Sequence, residues 1–199
     1  MENRLKVLDR RRNYKILAEN AYLAEDRKNA IRFYNKALKF RGSKKDNIQI
    51  LYNMAFIYDE LDLPEMALKA YQRISLMDKN QAGAFYGMAT MYERLRDRKK
   101  ALQMYYKAIE IDPNYDRAYF YLANLYDDLD DKEKAIYYYK RVIKLKPNDY
   151  IAYNNLGSIY EELKDYKMAY NMIKKSLEIN PNYYKALFNM GVIYKKLNK

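Results

Sequence analysis

Residues 150–183 decide the fold of this chain, and they read YIAYNNLGSIYEELKDYKMAYNMIKKSLEINPNY. The preceding 34 residues, 116–149, read DRAYFYLANLYDDLDDKEKAIYYYKRVIKLKPND, with Ala, Tyr and Pro in matching places. The same spacing extends along the chain, and a fixed period of this length is the signature of a repeat protein. The matching residues are Tyr58, Tyr92, Tyr126, Tyr160 and Tyr194; Ala67, Ala101, Ala135 and Ala169; Tyr71, Tyr105 and Tyr139; and Pro113, Pro147 and Pro181.

Each period contains two helices joined by a short polar turn. Apolar residues recur at spacings of three and four, as at Tyr153, Leu156 and Tyr160, which is typical of amphipathic helices. Pro64 suits the first position of a helix in the second repeat. In the other repeats an aspartate in the turn is expected to cap the second helix. These aspartates are Asp26, Asp97, Asp131 and Asp165.

The pattern resembles the tetratricopeptide repeat (TPR) family, whose 34-residue unit carries W-x2-L-G-x2-Y and then Ala, an aromatic residue, Ala and Pro. The fifth repeat matches best, with Tyr153, Leu156, Gly157, Tyr160 and later Pro181. The resemblance implies an all-α fold, a right-handed α-α superhelix (TPR solenoid) of five full helix-turn-helix repeats and a C-terminal helix. The expected boundaries are an N-terminal extension at 1–10 that continues into the first helix, repeats at 11–47 (with a longer exit loop), 48–81, 82–115, 116–149 and 150–183, and a half-repeat or capping helix at 184–199.

The composition argues against most catalytic chemistry. The 199 residues include no His and no Cys, so the chain has no imidazole base, no thiolate nucleophile and no Cys-ligated metal. It also has no Gly-rich phosphate loop. We therefore expect a non-enzymatic protein without a cofactor or metal. The N-terminal residues are charged rather than apolar, and no apolar stretch is long enough to span a membrane, so we expect a cytoplasmic protein.

The resemblance also implies where a partner binds. In TPR proteins the first helices line a concave groove, through the second, fifth, sixth, ninth, twelfth and thirteenth residues of the unit. Aromatic rings at such positions accept apolar side chains, and Asn amides bond an extended peptide backbone. The candidate groove residues are Tyr52, Asn53, Phe56, Tyr86, Thr90, Phe120, Asn124, Asn155, Ser158, Phe188 and Asn189.

The charge is distributed unevenly between the two helices of each repeat. The net charge is +12, yet the twelfth position is acidic in the four central repeats. The second helices carry the basic surplus, which places it on the convex face. We expect the acidic ridge to favour basic residues on the partner. The ridge residues are Asp59, Glu93, Asp127 and Glu161.

The expected partner is therefore another protein, bound through an extended or helical segment with apolar and basic residues, without nucleic acid or membrane insertion. A carboxylate clamp for chaperone C-termini is not expected, because Phe120 and Asn189 stand where that motif needs Lys and Arg. Two alternatives stay open. One is an RNA-binding helical repeat that uses the convex Arg141, Lys144 and Lys174. The other is a scaffold that self-associates through the uncovered C-terminal helix, at Val192, Ile193 and Leu197.

Overall fold

The structure is a computed structural model that describes residues 2–197, with side chains described for residues 9–197. This part of the chain forms eleven α-helices and no strand, so the all-α class is confirmed. None of these helices combines the length and the apolarity needed to cross a bilayer. In chain order they are α1 (Glu2–Leu23), α2 (Arg27–Leu38), α3 (Lys44–Glu60), α4 (Pro64–Met77), α5 (Ala82–Arg94), α6 (Arg98–Ile111), α7 (Asp116–Asp128), α8 (Lys132–Leu145), α9 (Tyr150–Glu162), α10 (Tyr166–Ile179) and α11 (Tyr184–Leu197).

The turn between α9 and α10 shows how the sequence ends one helix and starts the next. Lys164 adopts a left-handed backbone with a φ of 62°. Its N–H donates to the Glu161 carbonyl at 2.9 Å, and the Asp165 N–H donates to the Tyr160 carbonyl at 2.9 Å. This pair of bonds is a Schellman C-cap. The Asp165 carboxylate then accepts from the Met168 N–H at 3.0 Å, so it caps the following helix.

The predicted helix starts are confirmed in the other repeats as well. Aspartate side chains accept the third backbone N–H of α2, α6 and α8 at 3.0 to 3.2 Å. Pro64 occupies the first turn of α4, as its fixed φ and missing N–H favour. A left-handed residue other than glycine precedes each of these four helices. These residues are Glu25, Asp62, Arg96 and Asp130.

Replacing Lys164 with glycine is expected to stabilise the chain by about 0.5 kcal/mol, because glycine adopts the left-handed conformation without the steric cost of a Cβ. The gain is partly offset by the larger entropy of glycine in the unfolded chain. Leu163→Gly is the matched control, since Leu163 has a φ of −74° and gains nothing from glycine. Urea unfolding of both variants checks the prediction, and a lower midpoint for Lys164→Gly would refute it.

The helices divide into two compact halves within α6, the first ending at Met104 and the second beginning at Tyr105. In the second half, Gly157 lets α10 pack closely against α9. A Cβ at Gly157 would lie only 2.6 Å from Cδ1 of Ile173. Every second helix repeats a pattern of a small residue, a large residue and a small or β-branched residue, most of them fully buried. These triplets are Ala30, Tyr34 and Ala37; Ala67, Tyr71 and Ile74; Ala101, Tyr105 and Ala108; Ala135, Tyr139 and Val142; and Ala169, Ile173 and Ser176.

In the first half, Arg11 of α1 fastens the longer loop that follows α2. Its side chain is 3% exposed and donates to the carbonyls of Ala37 and Phe40 at 2.9 and 2.8 Å. It also donates to Oδ2 of Asp46 at 2.8 Å and to Oδ1 of Asn47 at 2.7 Å. One buried guanidinium therefore caps the C-terminus of α2 and ties that end to the start of α3.

Candidate binding surface

In the second half, a buried tyrosine hydroxyl joins two of the candidate groove amides. Nδ2 of Asn155 on α9 donates to Oη of Tyr139 at 3.0 Å, and that hydroxyl donates to Oδ1 of Asn124 on α7. Burial of the ring raises the pKa of Tyr139, so its hydroxyl stays protonated and available as a donor. Phe120 packs edge-on against the same ring, with centroids 5.8 Å apart. Three candidate residues thus contact one tyrosine, two of them through its hydroxyl and one through its ring.

The hydrogen-bonded chain continues from α9 to α11. Nδ2 of Asn154 donates to Oδ1 of Asn155 at 3.2 Å. Nδ2 of Asn189 donates to Oδ1 of Asn154 and to Oγ of Ser158, both at 3.0 Å. Asn154 is buried, and it was not among the predicted groove residues, because the fifth position of the repeat is aromatic in four other repeats. A polar residue at this otherwise aromatic position could have identified it.

These residues line a pocket of about 420 Å³ between α9 and α11. The pocket brings together four of the candidates, which are Asn155, Ser158, Phe188 and Asn189. Phe188 is 72% exposed and Tyr184 is 70% exposed, so two aromatic rings border the polar network. The remaining lining residues are Asn154, Tyr184 and Lys185.

Replacing Tyr139 with phenylalanine is expected to lower the free energy of unfolding by about 2 kcal/mol. The substitution leaves the Asn124 carbonyl and the Asn155 amide without their shared partner in a buried setting. Tyr137→Phe is the matched control, because Tyr137 is an exposed neighbour on the same helix and should change stability by less than about 0.5 kcal/mol. Thermal and urea unfolding measure the difference, and equal midpoints for the two variants would contradict the network.

The acidic ridge is partly neutralised. Nζ of Lys132 lies 2.8 Å from Oδ1 of Asp127 and 2.5 Å from Oε2 of Glu162. The hydrogen bonds to Asp127 and then Glu162 raise the pKa of Lys132 well above its usual range. In the first half, Arg94 likewise pairs with Asp59 and Asp62. Within the residues whose side chains are described, the half-buried Glu161 carboxylate makes no such pair.

A second pocket, of about 370 Å³, lies among α1, α2 and α3 in the first half. The candidates Asn53 and Phe56 line it. Phe56 is 54% exposed and packs edge-on against Tyr22, while Nδ2 of Asn53 donates to Oη of Tyr34 at 3.0 Å. The sequence missed the contribution of α1, although Glu19 and Tyr22 fall at the ninth and twelfth positions of the first repeat. The other lining residues are Glu19, Tyr22, Leu23, Tyr34 and Ile57.

Neither pocket is lined by Phe120, Asn124 or the four ridge residues, and three further groove candidates, Tyr52, Tyr86 and Thr90, also lie outside both pockets. Tyr52 packs edge-on against Tyr71 at 6.1 Å, and Oγ1 of Thr90 donates to the Gly87 carbonyl of its own helix at 2.9 Å. Tyr86 and Glu93 are half-buried. Their part in binding stays a prediction.

The sequence predicted an uncovered apolar edge on the C-terminal helix that includes Ile193, and the structure corrects this prediction. Ile193 is fully buried because its position on α11 turns it toward the preceding repeat, and Val192 is half-buried. The exposed apolar side chains of α11 are Tyr184, Leu187, Phe188, Tyr194 and Leu197.

Helix pairs that recur every 34 residues, with Schellman turns between them and pockets bordered by their first helices, define an α-helical repeat protein. Models of the tetratricopeptide repeat match residues 82–115, 116–149 and 150–183, and further models of this repeat match residues 48–81 and 172–199. The chain therefore belongs to the tetratricopeptide repeat family.

Solved structures show the same fold. The protein MamA is 26% identical, with a TM-score of 0.75 over 89% of this chain and 95% of that one. YrrB, described as a TPR protein with an unusual peptide-binding site, is 21% identical, with a TM-score of 0.69 over 88% of this chain and 89% of that one. A tetratricopeptide repeat protein of Parabacteroides merdae is 15% identical, with a TM-score of 0.81 over 96% and 75%. None of the curated proteins compared with the chain matches it.

Proposed function

We propose that this chain is a non-enzymatic adaptor that binds a peptide segment of another protein, with the pocket between α9 and α11 as its principal contact. Membership of the TPR family supports a protein-interaction scaffold in general. The peptide-binding site ascribed to YrrB offers a precedent on a similar fold. The observation that carries the proposal is the row of hydrogen-bonded amides that runs from Asn124 to Asn189 beside exposed aromatic rings.

The amides suit the backbone of an extended peptide. Each Asn side chain has two donor hydrogens and a carbonyl with two lone pairs, and the network uses only part of this capacity. The Asn155 side chain donates one hydrogen bond to the Tyr139 hydroxyl, and its carbonyl oxygen accepts one from Asn154. The hydrogen bonds hold the remaining groups in place before a ligand arrives, which reduces the entropy lost on binding.

The aromatic rings suit an apolar anchor. Phe188 and Tyr184 expose most of their surface at the mouth of the pocket, and covering them removes apolar area from water. Glu161 follows Ser158 by about one helical turn, so a basic residue beside the anchor meets its unpaired carboxylate. The first-half pocket offers a similar pairing of exposed Phe56 with Glu19.

The RNA-binding alternative has weaker support. Several lysines of the second helices already pair with acids of their own helix or of the turn before it, as Lys107 does with Glu110 at 2.9 Å and Lys175 with Glu178 at 3.1 Å. Arg141 lies over the ring of Tyr119 at 5.3 Å rather than free in solvent. These contacts leave fewer cations for phosphate, so we propose peptide binding instead.

A displayed library of random peptides, selected against the purified chain, tests the proposal. We expect enriched sequences to share an apolar residue next to a basic one. Their affinity should fall more than tenfold for Phe188→Ala combined with Asn155→Ala. Leu76→Ala is the control, since Leu76 is exposed on α4 in the first half. Enriched peptides that bind the double variant as well as the native chain would refute the pocket as their site.

A further inference from the structure

The described residues leave one face of α11 uncovered, and the preceding repeat shows what such a face accepts. Gly157 and Tyr160 of α9 stand 34 residues before Gly191 and Tyr194 of α11. On α9 these positions are buried, with Tyr160 only 9% exposed. On α11 they face solvent, where Tyr194 is 50% exposed and a Cβ at Gly191 would meet nothing within 4 Å. Leu187, one turn before Gly191, is exposed on the same face.

The cover of the α9 face is the helix α10. Its contact residues are Ala169, Ile173 and Ser176, all of them fully buried. The side chain of Ile173 lies directly over Gly157, at a distance that only glycine permits. By the same packing, the α11 face fits a helix with a small residue, an isoleucine-like residue four positions later, and a small residue three positions after that.

The charge of α11 adds a second requirement. The helix contains no acidic residue, and Lys195 is exposed next to Tyr194, on the same side of α11 as Gly191. Lys174 of the adjacent α10 is also exposed. Within the described residues neither of these two cations has an ion-pair partner, so acidic residues on the covering helix gain favourable contacts. The α10 sequence itself is basic and lacks this feature.

We propose that the face formed by Leu187, Gly191 and Tyr194 binds one acidic amphipathic helix of a partner protein. This helix takes the place on α11 that α10 takes on α9. The surface differs from the peptide pocket, which Phe188 and Asn189 border. The two binding events are therefore expected to be independent.

A synthetic peptide provides the probe. It carries residues 166–179 with Lys167→Glu, Lys174→Glu and Lys175→Glu, which keeps the three packing residues of α10 and reverses its charge. Fluorescence anisotropy of the labelled peptide against the full chain is expected to show saturable binding. Gly191→Leu in the chain should weaken it more than tenfold, because the new side chain fills the space that an isoleucine-like residue requires. The variant is expected to fold, since its added atoms meet open space.

Each control distinguishes one alternative. Adding Ile173→Asp to the peptide should abolish binding, because the change places a charge at the centre of an apolar contact. No saturable binding, or equal affinity for the native chain and Gly191→Leu, overturns the proposal. Sedimentation that shows a native dimer, dissociated by Gly191→Leu, also overturns it, because a second copy then covers the face. Library-selected peptides that still bind Gly191→Leu leave the peptide pocket intact, so the two proposals fail separately.

Discussion

Replacing Arg11 with alanine is expected to lower the free energy of unfolding by about 3 kcal/mol. The guanidinium is buried and donates four hydrogen bonds, two to the carbonyls that end α2, one to Asn47 and one to Asp46. Removing it takes the donor from the Phe40 carbonyl and from the Asn47 amide oxygen, and loss of one partner of a buried polar group is strongly destabilising. Gly42 shows how closely the loop approaches, because a Cβ there would overlap the guanidinium.

Arg12→Ala is the matched control, since Arg12 is exposed and should change stability by less than about 0.5 kcal/mol. Urea unfolding compares the two variants. Hydrogen exchange should place the loss in the amides of α2 and the start of α3. Equal midpoints for the two variants would show that the contacts of Arg11 contribute little to stability.

Acid unfolding provides a further check on the same contacts. Burial alone raises the pKa of Asp46, but hydrogen bonds from Lys15 and Arg11 outweigh it, so the pKa is lowered overall. A lowered pKa in the folded state means that this contribution is present above the unfolded value near 4 and is lost as the pH falls through the folded value. Arg11→Ala should therefore reduce the loss of stability measured between neutral pH and acid.

Replacing Gly157 with leucine is expected to destabilise the chain by about 3 kcal/mol. The first added atom already lies within 2.6 Å of Ile173 Cδ1 and 3.3 Å of the Ala169 carbonyl oxygen. Because the second of these is backbone, a longer side chain must push α10 away from α9, and such overpacking costs as much as or more than the loss of a methyl group. The pocket that Asn155 and Ser158 line is expected to be disturbed as well.

Gly191→Leu separates this packing effect from the effect of losing a helix glycine. Gly191 stands at the same position of the next repeat but has open space around it. There the leucine should stabilise α11 by up to about 1 kcal/mol, through helix propensity alone. Thermal unfolding of the two variants should move in opposite directions. A drop of similar size for both would indicate that helix packing at Gly157 is looser than the structure shows.

The sequence predicted the fold because its signals are periodic. Tyr, Ala and Pro at 34-residue spacing indicate where helices pack, and a local carboxylate such as Asp165 indicates where a helix begins. Both depend on residues close in the chain or on a repeated position. The solved TPR structures and the family models confirm this part.

The candidate site was harder to predict because its contacts depend on side-chain direction. The repeat pattern indicated Tyr139 only as a packing residue, yet its hydroxyl also forms hydrogen bonds with the side chains of Asn124 and Asn155. The long side chains of Lys and Arg form ion pairs that position counting does not reveal. Lys132 on α8 pairs with Asp127 of its own repeat and with Glu162 of the next, and Arg94 on α5 pairs with Asp59 on α3. The net charge of a helix therefore overstates the negative field of the candidate surface.

The side-chain amide signals of the asparagines test the central claim most directly. In ¹⁵N-correlated NMR spectra, titration with a library-selected peptide should shift the side-chain NH₂ resonances of Asn124, Asn155 and Asn189 together with the backbone amides of α9 and α11. The backbone amide resonances around Lys140 and Lys144 of α8 should remain unchanged. Shifts confined to α8 and α10, with the three asparagine side chains unaffected, would contradict peptide binding at this surface.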